Sequence, residues 1–503
     1  MMKKNYYVFM AKVTLLIAGA AIVACSDNDD PIMQSAQDGQ HVCKLIVSAS
    51  LGSNASTRGL TLDGADIKAY WETGDKVTVY DGDTSIGTLI AEPDVEDDTK
   101  ATLTGTLTGT VNMESAGVTL RYKSNVTYRL WIQDGTLENI ASTACDYATT
   151  DAITVNSVDI GTTETVVYAT ATFHSQQPIV KFTLQDAAGQ PIMSNGMRIN
   201  VNATQYNVDL ATPSDELFVA LPASANAKFT FFAHADNSTK SYRYSKTSVT
   251  FAKGNYYPIT VKMTEVSAPA GAEAVDLGLE SGTKWANKNV GAQSLTGEGT
   301  HYAWGEVFGM DGAYSESPND EYKNSFGMST QSWAYPRTSG ANQMQYRKYN
   351  STDRKTVLEP LDDAASANWG EGWHTPTKEQ WQELLATKGN TTDYLWTWCD
   401  GSTVKYNESS TPGWKIEVIK TGTLNGNTLF LPVAGHMQSQ SYQFSGSYYS
   451  NGSDGHYLSS TVSGINAWAF HFHNIDATPG GTPVVNTSAD RWRGFSVRPV
   501  KDE

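Results

Sequence analysis

The sequence predicts a mainly β protein in which two antiparallel β-sandwich domains precede a Trp-rich α+β domain. Three observations lead to this prediction: apolar residues alternate with period two in the first half, no segment there keeps a helical period, and eleven of the 13 Trp lie at or after Trp285. A chain of 503 residues is long enough for several domains, each with its own core.

Composition excludes several classes of function. The formal net charge is −17, from 36 Lys and Arg against 53 Asp and Glu, and the basic clusters that phosphate binding needs are missing. Charged residues make up 18% and aromatic residues 11%, which is too apolar for disorder and too polar for a protein that spans a membrane many times. We therefore expect a soluble, multidomain protein without a nucleic-acid partner.

The first 24 residues have the pattern of a signal peptide. Lys3, Lys4 and Lys12 form a basic start, and residues 13–24 are an uncharged run that is too short to span a membrane. The run ends in Ile-Val-Ala-Cys, which resembles a bacterial lipoprotein box and implies a lipid on Cys25. An ordinary secretory signal followed by a chance cysteine is the alternative.

The residues after Cys25 predict where in the cell envelope the protein is located. Residues 26–30 (SDNDD) are acidic and resemble the tag that sends lipoproteins of Bacteroidetes to the outer surface of the outer membrane. Acidic residues beside a lipid anchor do not attract anionic head groups, so a signal read by a transporter is the better interpretation. The prediction is a surface-exposed protein of the outer membrane.

Three further cysteines remain, Cys43, Cys145 and Cys399, without the spacing of a metal site. A bridge between Cys43 and Cys145 is possible, and the sequence alone leaves it open. We expect Cys399, which follows Trp-Thr-Trp, to be a small buried apolar residue rather than a nucleophile.

Alternation defines the first two domains. It is clearest at 167–173, 180–184 and 257–263, each with one apolar and one more polar face. We assign the first sandwich to residues 59–172 and the second to 173–263, since one sandwich rarely needs so many residues. A stretch rich in Ala, Ser, Pro and Gly at 264–273 is predicted to be a linker.

The order of three segments in this half resembles the fimbrillin-like pilus subunits of Bacteroidetes. The segments are Thr57-Arg58, residues 71–77 (WETGDKV) and residues 254–261 (GNYYPITV). The resemblance implies transthyretin-like sandwiches, and a lipidated leader (25–58) that contains a removable first strand. It also implies that a trypsin-like protease cuts between Arg58 and Gly59 and that a neighbouring subunit's strand then fills the groove. The alternative is that Arg58 only lies in a solvated linker.

Residues 274–503 resemble another module, the "major paralogous" domain of surface proteins in Bacteroidetes and Fibrobacter. That domain is similar to the formylglycine-generating fold, a relative of the C-type lectin fold. Thr377 and Gln380 form the pattern of a capping box that opens a helix, and residues 361–369 form a second helical candidate. The motifs that carry the resemblance are 275–286, 289–292, 302–306, 372–381, 430–435, 457–460 and 494–500.

Enzyme activity is not expected. The formylglycine-generating enzymes work through two copper-binding thiolates, whereas Cys399 is the only cysteine in this part of the chain. His471 and His473 project from one face of a strand and could hold a metal, but no third ligand is evident, so we predict no metal site and no cofactor. The calcium triplets of lectins are absent as well. A divergent enzyme on this fold remains a third, weaker hypothesis.

A binding function fits the module better. Lectin-like folds bind through loops on one face, where aromatic rings and amide side chains hold sugars. Structural tyrosines are common in surface proteins, so we expect two or three of these residues at most to contact a ligand. The candidates are Tyr335, Tyr346, Tyr349, Tyr442, Tyr448 and Tyr449.

The position of the module suggests a role at a fimbrial tip. A folded domain follows the fimbrillin-like part, so the subunit can accept a strand from a neighbour but is poorly placed to donate one. The prediction is a fimbrial tip adhesin whose partners are other fimbrial subunits and a glycan or protein ligand. The alternative is an outer-membrane glycan-binding lipoprotein that does not polymerise. Deleting residues 41–58 would distinguish the two.

Overall fold

The computed structural model describes most of the chain after residue 41. The described residues are 42–52, 59–63, 66–108, 117–123, 132–142, 145, 147–202, 204–309, 334–335, 345–346, 348–440, 445–449, 454–464, 466–473, 480–491 and 493–503. Strands dominate these residues and helices are few, so the protein is mainly β, as predicted. No helix among them has both the length and the apolar character needed to cross a membrane.

Eleven strands and one short helix are described in the first part of the chain. Their bounds are β1 Val42–Leu51, β2 Gly59–Asp63, β3 Asp66–Tyr70, β4 Lys76–Asp81, β5 Thr84–Pro93, β6 Lys100–Leu107, β7 Val118–Tyr122, β8 Ile132–Gln133, α1 Leu137–Ser142, β9 Ala148–Thr150, β10 Thr154–Ile160 and β11 Glu164–Ser175.

Eight of these strands form one sheet, in the order β1-β6-β5-β4-β7-β9-β11-β10. Because β1 also pairs with β11, the sheet closes on itself. Trp71, Leu103 and Phe173 belong to the hydrophobic core of this sheet. The alternation predicted for 167–173 is confirmed, since Val167 and Phe173 lie on the buried face of β11.

The second part has eight strands. Their bounds are β12 Ile179–Gln185, β13 Ser194–Val201, β14 Thr204–Ser214, β15 Glu216–Ala220, β16 Ser224–His234, β17 Ser241–Phe251, β18 Tyr256–Lys262 and β19 Thr264–Glu265.

Two sheets of this part share a single core. One has the order β15-β12-β18 and the other β19-β17-β16-β13-β14-β8. Phe182 from the first sheet and Phe231 from the second belong to the same apolar cluster, with ring centroids 5.1 Å apart. The sequence predicts antiparallel sheets, but β12 pairs in parallel with β18.

Three segments depart from the predicted division of the chain. Strand β8 pairs with β14, and Leu60 and Ala69 of the β2–β3 hairpin belong to the core of the second part. At the other boundary, Thr264 and Glu265 pair with β17, so the predicted linker begins inside the second part's sheet. Period-two patterns show that a strand exists, but they do not show which sheet it joins.

The C-terminal module combines short sheets with short helices. The bounds are β20 Ala274–Asp276, β21 Lys284–Ala286, β22 His301–Tyr302, β23 Ala334–Tyr335, β24 Gln345–Tyr346, α2 Ala364–Trp369, α3 Lys378–Ala386, β25 Tyr394–Cys399, β26 Gly413–Val418, β27 Thr428–Pro432, β28 His436–Gln440, β29 Ser445–Tyr449, β30 Asp454–Ser463, β31 Asn466–His473, β32 Val484–Asp490, β33 Phe495–Ser496 and β34 Val500–Lys501.

Most of the described tryptophans of this module build its core, as expected. Trp381 stacks on Phe470 at a centroid distance of 4.7 Å, and its indole nitrogen donates to the Leu458 carbonyl. The hydrogen bond satisfies the one polar atom of the ring, so the large apolar surface is buried without leaving a donor stranded. The buried tryptophans are Trp285, Trp304, Trp369, Trp373, Trp381 and Trp414.

The two predicted helices have different outcomes. The capping box is confirmed: the Thr377 hydroxyl accepts from the Gln380 amide, and the Gln380 side chain accepts from the Thr377 amide. The candidate at 361–369 is only partly helical. A 3₁₀ turn spans Pro360–Asp362, and α2 starts after Asp363, whose side chain caps the helix.

The three cysteines that the structure describes are not joined to one another. Cys43 carries a free thiol in the core of the first sheet, while Cys145 lies in the core of the second part, so the bridge left open by the sequence is excluded. Cys399 is 1% exposed, and burial raises the pKa of its thiol. It is a buried apolar residue, as predicted.

Candidate functional site

Strand β1 is the first candidate site, because it occupies an unusual place in its sheet. It lies between β6, to which it is antiparallel, and β11, to which it is parallel. Every other neighbouring pair among the described strands of that sheet is antiparallel. The first described strand of the chain is thus an insert with partners on both sides.

The side chains of β1 alternate strictly between the core and the surface. Cys43, Leu45, Val47 and Ala49 are at most 4% exposed and belong to the apolar core, while Ser48 between them is exposed. The inward side chains of β1 thus form part of the apolar core of the sheet. Without β1, β6 and β11 would become open edges beside an apolar groove.

The chain on the far side of the predicted cleavage point is anchored elsewhere. Arg58 lies outside the described residues, and β2 begins at Gly59. The hairpin of β2 and β3 packs through Leu60 and Ala69 on the core of the second part, not on that of β1. A cut after Arg58 would therefore leave β1 held by non-covalent contacts alone on that side: its pairing with β6 and β11 and the packing of its inward side chains.

The predicted ligand tyrosines are only partly placed. Backbone strands contain Tyr335, Tyr346, Tyr448 and Tyr449, whereas Tyr442, like Cys25, lies outside the described residues. The two strand pairs belong to separate hairpins, β23–β24 and β28–β29. Contact of these five tyrosines with a ligand stays a prediction.

Tyr349 requires a correction. It is 1% exposed, it contacts Trp304 edge-on, and its hydroxyl donates to an Asp362 oxygen at 2.6 Å. A ring in this position cannot serve as a surface platform for a ligand. Its burial could not be predicted from the sequence, because Tyr349 follows a polar stretch that has the composition of a loop.

A buried ion-pair network joins the second part of the chain to the C-terminal module. Arg198 on β13 and Asp362 are both fully buried, and two guanidinium nitrogens approach one Asp362 oxygen at 2.5 and 2.8 Å. Lys348 donates to the other Asp362 oxygen at 2.6 Å, and Asp209 accepts from Arg198 at 2.7 Å. Burial alone would raise the pKa of Asp362, but the two cations outweigh it and lower this pKa.

Apolar contacts surround the network. Phe232 from β16 packs with Val307, Leu361 and Ala367 of the module in one buried cluster. Arg243 on β17 also donates to the Val307 carbonyl at 3.3 Å. The module is therefore docked on the second part through a desolvated interface.

Glu306 is a buried acid beside this interface. It is 6% exposed, its Oε1 atom has no hydrogen-bond partner among the described residues, and burial raises the pKa of the carboxyl to about 8. The folded chain thus holds this proton more tightly than the unfolded chain, in which a Glu titrates near its usual pKa of about 4.3. The stability contributed by the protonated acid is complete at pH values below about 4.3 and is lost as the pH rises from there towards 8.

Replacing Glu306 by Gln should therefore stabilise the protein at high pH. Because Gln cannot ionise, we expect a gain of about 1–3 kcal/mol in unfolding free energy at pH 8 and little difference at pH 4. Urea unfolding of both proteins at the two pH values measures this. Glu371→Gln, which changes an exposed acid, is the control, and an equal effect of Glu306→Gln at both pH values would contradict the prediction.

A histidine cluster lies on β30 and β31. His471 and His473 lie on the same face of the sheet, and His456 of β30 lies on this face too. The centroid of the His456 ring is 5.6 Å from that of His471 and 5.3 Å from that of His473. Burial lowers the pKa of His456 to about 2 and that of His471 to about 4, helped by neighbouring positive groups. His456 could not be linked to these residues from the sequence, since the register of the two strands was unknown.

No protein-family model and no curated protein matches the chain. Among solved structures, a fimbrial protein from Bacteroides ovatus is 10% identical, with a TM-score of 0.24, covering 92% of this chain and 99% of that one. A Bacteroides fragilis protein assigned to cell adhesion is 12% identical, with a TM-score of 0.27, covering 43% of this chain and 92% of its own. The shaft pilin SpaA of Lactobacillus rhamnosus is 10% identical, with a TM-score of 0.21, covering 45% of this chain and 99% of its own. Similarity of this size cannot assign a function, which must come from the chain's own geometry.

Proposed function

We propose that the chain is a subunit of a surface fimbria, assembled by donor-strand exchange after cleavage between Arg58 and Gly59. The observation that carries the proposal is the position of β1 in its sheet. This strand, the first that the structure describes, lies between β6 and β11 and places four side chains in the core. Such a strand can leave without breaking the order of the remaining strands.

The physics of the groove favours refilling by another strand. Removal of β1 would expose the backbone groups of β6 and β11 along ten residues of β11 and eight of β6. It would also expose the apolar floor that Leu45 and Val47 now cover. An extended segment with alternating apolar residues from a neighbouring subunit satisfies both needs at once.

The docked C-terminal module supports a place at the tip of the fimbria. It follows β19 directly and is held on the second part through Arg198 and Asp362, which leaves no extended segment there to donate. We propose that this lectin-like module faces outward and binds a glycan or protein ligand on a host or a neighbouring bacterium. Before maturation, a lipid on Cys25 would hold the chain at the outer membrane.

The alternative is a glycan-binding lipoprotein that stays tethered and never polymerises. Its β1 would be a permanent strand, and the chain would keep its start at Cys25. Deletion of residues 41–58 separates the two: a fimbrial subunit should then associate with a partner subunit, whereas a tethered protein should only lose its first strand.

Cleavage gives the first test of the proposal. We expect N-terminal sequencing of the protein released from the cell surface to begin at Gly59, and we expect Arg58→Gln to abolish that start and to reduce assembly into high-molecular-weight fimbriae. Arg354→Gln is the control, because it makes the same change of residue type at an exposed arginine far from the proposed cleavage point. A start at Cys25 alone in wild-type fimbriae would overturn the proposal.

A further inference from the structure

Four side chains capable of binding a metal form a compact patch on one face of β30 and β31. His456 lies directly opposite His471, and Asp454 lies directly opposite His473, in the antiparallel register of the two strands. Within each strand the two residues are two positions apart. Opposite residues, and residues two apart, share a face of a sheet, so the four side chains project to the same side.

The distances within the patch approach those of a metal site. The His473 Nδ1 and Asp454 Oδ1 atoms are 3.1 Å apart, and one ligand atom from each of Asp454, His456 and His473 lies within 4.8 Å of the others. Two ligands of one tetrahedral zinc ion are about 3.3 Å apart, given metal–ligand bonds of about 2.0–2.1 Å. Small side-chain rotations would bring all three ligands into that geometry.

The environment of His456 is the second, independent observation. The side chain is 7% exposed, and within the part of the chain that the structure describes neither of its ring nitrogens has a hydrogen-bond partner. A buried ring whose nitrogens lack hydrogen bonds costs free energy unless something else binds it. Its neighbours are other imidazoles: His436 lies at 4.5 Å and His473 at 5.3 Å between ring centroids.

We propose that Asp454, His456 and His473 bind a divalent transition-metal ion of the zinc type, with His436 or His471 able to supply a fourth ligand. Imidazole and carboxylate together suit Zn²⁺ and its first-row neighbours better than Ca²⁺, which takes oxygen ligands in larger number. Nothing in the fimbrial role requires this site, so the two proposals stand or fall separately.

The site also has a place in the module. His436 is the first residue of β28 and pairs with Tyr449 of β29 in the backbone register. A metal shared by His436 and His456 would fasten this hairpin, which carries two of the predicted ligand tyrosines, to the sheet that contains β30 and β31. The ion would thereby fix the hairpin's position relative to the sheet.

The experiment is a titration of the purified full chain with Zn²⁺, followed by calorimetry and by metal analysis after dialysis. We expect one Zn²⁺ per chain and a zinc-dependent rise in the midpoint of thermal unfolding. His456→Ala and His473→Ala should each weaken binding by at least about 100-fold, since even loss of groups that only support ligands weakens such sites 10–100-fold. Co²⁺ in place of Zn²⁺ should give the visible absorption of a tetrahedral site.

The matched control is His374→Ala. His374 lies 3.1 Å from Asp502, the same separation as His473 and Asp454, but it is not part of the three-residue group. Zinc binding that is absent in the wild type, that survives both cluster variants, or that falls equally in His374→Ala would overturn the proposal. If His456→Ala does not fold, His473→Gln decides, because His473 is 43% exposed and tolerates substitution.

Discussion

Replacement of Asp362 by Ala is expected to lower the free energy of unfolding by about 3–5 kcal/mol, because it removes the buried carboxylate that Arg198 and Lys348 share. In the variant the fully buried Arg198 keeps its pair with the half-buried Asp209, and Lys348 loses its closest carboxylate oxygen. Tyr349 loses the acceptor of its hydroxyl as well. We expect the C-terminal module to separate from the second part before either one unfolds.

Chemical denaturation, read by tryptophan fluorescence, measures the effect, since most tryptophans lie in the module. The control is Glu265→Ala, which breaks the exposed pair with Lys240 at 2.9 Å and should cost at most about 1 kcal/mol. Equal, small effects of both variants would show that the network contributes little to the free energy of unfolding.

The pH dependence gives a second check. Since folding lowers the pKa of Asp362, the contribution of this carboxylate to stability should be complete above about pH 4 and disappear in more acidic solution.

The network has a consequence for a fimbrial tip. An adhesin under flow transmits force from its ligand through every junction to the shaft. A junction made by Arg198, Asp362 and the apolar cluster around Val307 resists hinge motion better than a flexible linker, because separation exposes buried charges and apolar surface together. In the proposed role, the module would move with the second part as one body.

Local patterns were sufficient to predict single elements. The alternation of β11 and β12 and the capping box at Thr377 depend on neighbouring residues, so the sequence alone reveals them. The pairing of distant elements could not be predicted. Arg198 and Asp362 are 164 residues apart, and the aspartate looked like part of a helix's first turn.

The same limit explains the missed third member of the histidine cluster. His471 and His473 are adjacent on one strand face, so their pattern is local, but His456 joins them only through the register of β30 against β31. Likewise, the hairpin at β2 and β3 is amphipathic in sequence, yet its choice of the second core depends on tertiary packing. Sequence periodicity gives the face of a strand and not its neighbour.

Replacement of Leu45 by Asp should destabilise the first sheet by at least about 4 kcal/mol, because it places a charge without a counterion in an apolar core. Leu45 is 0% exposed and lies at the centre of β1. Ser48→Asp introduces the same charge on the exposed face of the same strand, and it should change stability by no more than about 0.5 kcal/mol. Unfolding followed by circular dichroism distinguishes the two variants.

The strand-exchange proposal predicts the same difference between the Leu45→Asp and Ser48→Asp changes when they are made in a peptide that replaces β1. When the chain is cut after Arg58 and β1 is removed by denaturant, a synthetic peptide of residues 42–51 should restore the first sheet on refolding. The Ser48→Asp peptide should bind equally well, whereas the Leu45→Asp peptide should fail, since the groove accepts an apolar side chain at that position. Failure of the wild-type peptide to restore the sheet, or equal binding of the Leu45→Asp peptide, would contradict the strand-exchange proposal.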